Sequence, residues 1–161
     1  MLFRRRGAQR AALFAFERVL VPVGGTEVDD PALRLTAMLL AGTQGQASLL
    51  HVIEVPFERQ LDAEDEAALA RADEILHEAE AFLASQQVAV RTSTVQARAA
   101  GPAIVDDANE LDADLIVMGL RYKKRFGGQW DAGRTVPYVM RNSTAPVWCL
   151  RAETKELAHT P

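Results

Sequence analysis

The stretch GLRYKKRFGGQWDAGRTV, residues 119 to 136, sets five cations among glycines and small residues, between the apolar run Leu115 to Met118 and a short helical pattern from Val136. Glycine lets backbone approach a ligand closely, and the first turn of a helix offers free N–H groups and a dipole end that favour an anion. Thr135 is placed to cap that helix, while Arg121, Lys123, Lys124, Arg125 and Arg134 add positive charge. Pro137 works against the site, because it removes one first-turn donor. The pair Gly127-Gly128 fits either a phosphate loop or an ordinary turn. The chemistry on offer is anion binding, and two readings stay open: a working phosphate cradle, or a basic loop that has lost that role.

No other constellation adds a reaction. The acid pairs Asp29/Asp30, Asp106/Asp107 and Asp112/Asp114 fall at a helix start, on a helix face and before a strand, where capping or solvation accounts for them. No serine or cysteine sits in a nucleophile elbow, and no Walker lysine follows a glycine loop. Catalytic residues are therefore not assigned, and the expectation is a protein that is not an enzyme. His51, His77 and His159 are scattered, with no metal-ligand spacing. The single cysteine, Cys149, lies in the apolar stretch Val147 to Leu150 and reads as a packed thiol suited to a reducing compartment.

A chain of 161 residues, 48% hydrophobic and 25% charged, is sized for one domain with a full apolar core. Its net charge of −4 argues against a general nucleic-acid binder, so any anion site must be local. The leader, residues 1–15, holds Arg4, Arg5, Arg6 and Arg10 beside Leu2 and Phe3, and its apolar part is too short to span a membrane. It reads either as a basic end whose Leu13 and Phe14, with Phe16, pack on the domain, or as a segment making weak contact with an anionic membrane surface.

The elements that must position the loop follow from periodicity. RVLVPV (18–23), ASLLHVIEV (47–55), VAVRTSTVQA (88–97), ADLIVMG (113–119) and APVWCL (145–150) read as strands, several of them continuous apolar runs of the kind a sheet covered on both faces requires. Between them lie helical patterns: one capped by Asp29 or Asp30 and running to about Gly42, a long one over 61–87 that buries Leu69, Ala72, Leu76, Ala79 and Leu83, one opened by Gly101 and Pro102, and one from Val136 to about Asn142. Strict alternation implies crossover connections and hence an α/β fold with a parallel sheet. In such sheets ligands sit beyond the carboxyl ends of the strands, here VGGT (23–26), IEVP (53–56) and MGLR (118–121).

FERVLVPVGGTEVDDPALRLTAMLLA, LLHVIEV, ADLIVMG and GRTVPYVMRNSTAPVWCL together resemble a universal stress protein domain over about residues 16–151, which leaves 152–161 as a tail. The resemblance implies a five-stranded parallel sheet of order 3-2-1-4-5 with helices on both faces, flavodoxin-like in the manner of the adenine nucleotide alpha hydrolases. It also implies a homodimer through the last strands, carried here by Val147, Trp148, Cys149 and Leu150, and ATP, AMP or a cyclic adenine nucleotide as ligand, with magnesium as a candidate companion ion. On the matching positions the nucleotide site comprises Pro22, Val23, Gly24, Gly25, Thr26, Val52, Met118, Gly119, Arg121, Gly133, Arg134, Thr135 and Val136. The sequence departs from the family pattern at three of its functional positions. Gly24 stands where the family carries an aspartate; Tyr122 takes the second glycine of Gly-x-x-Gly-x9-Gly-(Ser/Thr); Arg134 takes the hydroxyl position, with Thr135 one step later.

HVIEVPFERQLDAEDEAALARADEILHEAEAFL, VQARAAGPAIVDDA and GRTVPYVMRN are most similar to the variety of this domain appended to the cytoplasmic end of amino-acid permeases and cation antiporters. That likeness implies a cytoplasmic location, membrane-associated where the domain is attached to a transporter or rests against one. Two functions remain in competition: a nucleotide-sensing regulatory module, and a ligand-free dimerisation and docking domain.

Overall fold

The structure is a computed structural model that describes residues 15–63, 65–121, 123–124 and 130–151, with the backbone alone at 123–124 and 130–131. The leader up to 14, Tyr122, Arg125, the pair Gly127-Gly128 and the tail from 152 lie outside the described residues.

The central strand β1 (Arg18–Pro22) buries Val19 and Val21 on one face and Leu20 on the other, which is why its sequence reads as an unbroken apolar run. It pairs in parallel with β2 (Gln46–Glu54) and with β4 (Leu115–Leu120); β3 (Ala89–Ala97) lies outside β2. The last strand, β7 (Val147–Arg151), lies outside β4 and forms the sheet edge. The order is thus 3-2-1-4-5, counting the strands of this sheet in chain order. Helices α1 (Asp29–Leu40) and α2 (Glu66–Ser85) cover the face of Val19, Val21, Leu115 and Val117. The opposite face, with Leu20, Leu50, Ile116 and Met118, is covered by α3 (Ala100–Glu110) and α4 (Thr135–Asn142). Fully burying each of these aliphatic side chains contributes about 1.5–3 kcal/mol, so this double core supplies the main driving force.

Several local expectations are corrected. The long helix starts at Glu66 rather than 61, because Asp65, in extended conformation, accepts from the Ala68 amide and stops the chain from coiling earlier. Its buried stripe runs through Ala72, Ile75, Leu76, Ala79 and Leu83, whereas Leu69, a turn earlier, is 36% exposed. Neither Asp29 nor Asp30 caps α1: the cap position is Val28, and Asp30 instead pairs with Arg34 at 2.8 Å. Inside the stretch read as an irregular loop, the backbone makes a two-stranded antiparallel ribbon, β5 (Lys123–Lys124) with β6 (Trp130–Asp131).

One acid holds the sheet together at its start. Asp114 accepts from the amides of Glu17 and Arg18 through both carboxylate oxygens, while its own amide donates to the Arg18 carbonyl. That clamp fixes β1 against β4 and so sets where their carboxyl ends open.

Candidate functional site

A cleft of about 400 Å³ opens beyond the carboxyl ends of β1, β2 and β4, at the point where the chain order reverses. Its inner wall is apolar, formed by Val23, Leu50, Val52, Ile104 and Met118. Polar groups converge at one end, where Arg121 leaves β4 and Gly133, Arg134 and Thr135 lead into α4. Pro22, Gly24, Thr26, Gly119 and Val136 complete the set that the sequence points to. Gly25 is the exception. It faces a second cavity of about 310 Å³ between α1 and α2, because the turn directs it to the other side of the loop, against Ile75.

The loop from Gly24 to Thr26 is held by one atom. Asp29 Oδ2 accepts the amides of Gly24, Gly25 and Thr26 at 3.0, 2.7 and 3.1 Å. A side chain expected to cap a helix turns back and fills a nest of N–H groups that otherwise suits an anion. Position 24 carries no carboxylate, yet Asp29 brings one to the wall of the same cleft.

Gly119 is required by a close approach: a Cβ there would lie 2.1 Å from the Val28 carbonyl oxygen. Its need for glycine therefore comes from the β1–α1 loop crossing over β4, not from a phosphate. Gly133 has φ +72°, a left-handed conformation that glycine adopts readily, and it turns the chain into α4. Thr135 is the first residue of that helix rather than its cap; Arg134 occupies the cap position and makes no side-chain capping bond, because a guanidinium has no acceptor to offer the first-turn amides. The first-turn amides of Thr135 and Val136 precede the start of the helical ladder, and Pro137 contributes none.

Arg121 Nη2 donates to Glu27 Oε2 at 2.7 Å, joining the exit of β4 to the β1–α1 loop. His51 Nδ1–H donates to the Val23 carbonyl at 2.9 Å, which in the neutral ring leaves Nε2 as an acceptor on the cleft wall. Glu54, the last residue of β2, accepts the Ala100 amide at 2.8 Å and so occupies the N-terminus of α3. Sequence reasoning missed Val28, Asp29, Leu50, His51, Ala100, Ile104 and Ala132 as lining residues. For His51 a signal existed, since it directly precedes Val52 on the same strand end; for Ala100 and Ile104, the start of a helix following β3 is the only pointer.

No cluster of three or more His, Cys, Asp or Glu side chains able to hold a metal occurs among the described residues. Nor, among them, is any helix long and apolar enough to cross a membrane. Burial pushes the Cys149 thiol above its ordinary value, as expected for a packed cysteine.

Residues 15–151 match the model of the universal stress protein family. The chain belongs to that family. Among solved structures of the same fold is a universal stress protein from Archaeoglobus fulgidus in complex with dAMP, 20% identical, with a TM-score of 0.67 over 84% of this chain and 98% of that one. A family protein from Arabidopsis thaliana with AMP bound is 13% identical, with a TM-score of 0.64 over 87% and 94% of the two chains. A universal stress protein in complex with cAMP is 20% identical, with a TM-score of 0.66 over 85% and 98%. No curated protein matches the chain. At these identities the structural likeness shows the shared fold.

Proposed function

We propose that the chain is a regulatory module that binds an adenine nucleotide, AMP, ATP or a cyclic form, in the cleft at the carboxyl ends of the strands. The observation that carries this reading is the convergence of an apolar slot with a cationic helix start in one cavity. The slot between Val23, Val52, Ile104 and Met118 takes the flat base, and the base exchanges water for aliphatic contact there. The phosphate end lies against the first turn of α4, where Arg121 and Arg134 add forked donors. Magnesium would accompany ATP on its phosphate oxygens. Nucleotides bound to three relatives of the same fold support the choice of ligand class.

The module works by changing contacts, without a chemical step, and in the cytoplasm. Its partners are a second copy through the β7 edge and, on the likeness of residues 133–142 to transporter-appended domains, the cytoplasmic face of a membrane transporter. A second reading, a docking domain without nucleotide, is favoured by Asp29 and Glu27, whose carboxylates already engage the loop amides and Arg121.

Denaturing freshly purified protein and weighing the released small molecules by mass spectrometry tests the assignment. An adenine nucleotide is expected; release of no nucleotide, with no retention of added AMP on gel filtration, favours the docking reading.

A further inference from the structure

The ion pair between Arg121 and Glu27 is placed to do more than hold a loop. Arg121 lines the cationic end of the cleft, while Glu27 approaches from the β1–α1 loop, and their 2.7 Å contact joins segments remote in sequence. The side chains keep 42% and 65% of their surface exposed, so the pair is weak and exchangeable rather than a buried lock. A guanidinium that hydrogen-bonds a carboxylate presents the same fork to a phosphate. One cation therefore has two anionic claimants, one internal and one brought by the ligand.

We propose that Glu27 sets the phosphate selectivity of the cleft: its carboxylate holds Arg121 in place of a ligand phosphate, and a phosphate must displace it to bind. The inference rests on the nucleotide reading above and adds a selectivity residue that contacts Arg121. An uncharged nucleoside fills the apolar slot without disturbing the pair. A nucleoside monophosphate binds with part of its phosphate contact offset by the broken pair, and its arrival frees the Glu27 carboxylate from Arg121. Asp29 keeps the neighbouring amides of Gly24 to Thr26 engaged and Val28 stays packed over Gly119, so the change is confined to the Glu27 side chain.

Calorimetric titration of AMP and adenosine into the full chain, the Glu27→Gln variant, the Arg121→Ala variant and the double variant tests this. Glutamine keeps the shape of Glu27 and removes its charge. AMP should bind Glu27→Gln about three- to tenfold more tightly than the unmodified chain, the range expected when an exposed competitor and its repulsion are removed. Adenosine affinity should not change, and the gain for AMP should vanish in the Arg121→Ala background. Unchanged or weaker AMP binding in Glu27→Gln, an equal gain for adenosine, or an undiminished gain without Arg121 each overturns the role of Glu27 while leaving the nucleotide site standing. Failure of the unmodified chain and all variants to bind either ligand removes the nucleotide reading, and the role of Glu27 with it.

Discussion

The Asp29 carboxylate and the Gly25 amide meet at 2.7 Å, the shortest contact in a cradle that Gly24 and Thr26 complete. Three donors on a single oxygen fix both the loop and the rotamer of Asp29, and they place a carboxylate on the cleft wall. Removing it as Asp29→Ala leaves three amides without their acceptor and should cost about 2 kcal/mol. In a domain of this size that lowers the melting temperature by about 4–8 °C. Asp29→Asn keeps an acceptor oxygen and should recover most of the loss. Equal losses in the two variants, read by thermal melts, would show that the cradle contributes little.

Asp107 gives a pH-dependent effect. Its Oδ2 is buried without a hydrogen-bond partner among the described residues, and burial, with a smaller push from Glu110, raises its carboxyl above the ordinary 3.8, while Arg91 from β3 pulls the other way. A carboxyl that keeps its proton to higher pH in the folded chain than in the unfolded one favours folding when protonated. Its contribution is full below 3.8 and is lost as pH rises through the folded value. Asp107→Asn removes the charge, so it should stabilise the protein at pH 7, with the gain disappearing below about pH 4. Melts across this range check it; a gain that grows on acidification contradicts the assignment.

The strands were legible because segments buried on both faces write themselves as apolar runs, as RVLVP does in β1, whereas their order came from the resemblance to the universal stress protein domain. The cleft was legible for a related reason: parallel topology places every strand exit at one end. Asp29 was not, since an aspartate beside Asp30 at a helix start has two uses, capping forward or bonding backward, and only the fold of the Gly24–Thr26 loop selects the second. Gly119 illustrates the same limit. Its glycine is explained by Val28, a contact between distant segments that spacing within the 119–136 stretch could not reveal. The β5–β6 ribbon is two residues a side, too short for alternation to register.

Trp148 shows how an edge strand divides its duties. Its ring packs edge-to-face on Phe16, with centroids 5.5 Å apart, and both pack against the core under α1. A Trp148→Glu variant would therefore disturb the chain itself as well as any interface. The backbone offers a cleaner probe. The Ile116 amide donates to the Pro146 carbonyl, and in a parallel ladder this register points the amides of Val147 and Cys149 away from β4. Cys149→Pro removes an outward donor without removing an internal one. If β7 pairs with its two-fold mate, light scattering at tens of micromolar should fall from twice the 17.6 kDa chain mass to that mass, with a largely retained melt. An unmodified chain that scatters as a monomer, or a variant that stays dimeric, contradicts pairing through this edge.

Nucleotide sensing requires that an adenine nucleotide occupy the cleft between Val23, Ile104, Arg121 and α4. Thermal melts of the full chain against rising AMP, ATP, ADP and cyclic AMP, with and without magnesium, measure this. At ten times its dissociation constant a nucleotide that binds the folded chain adds about 1.4 kcal/mol, a rise of about 3–6 °C. That rise is expected for at least one of these ligands, with its loss in the Arg121→Ala, Arg134→Ala double variant; melts that stay flat into the millimolar range for every one of them contradict nucleotide binding in the cleft.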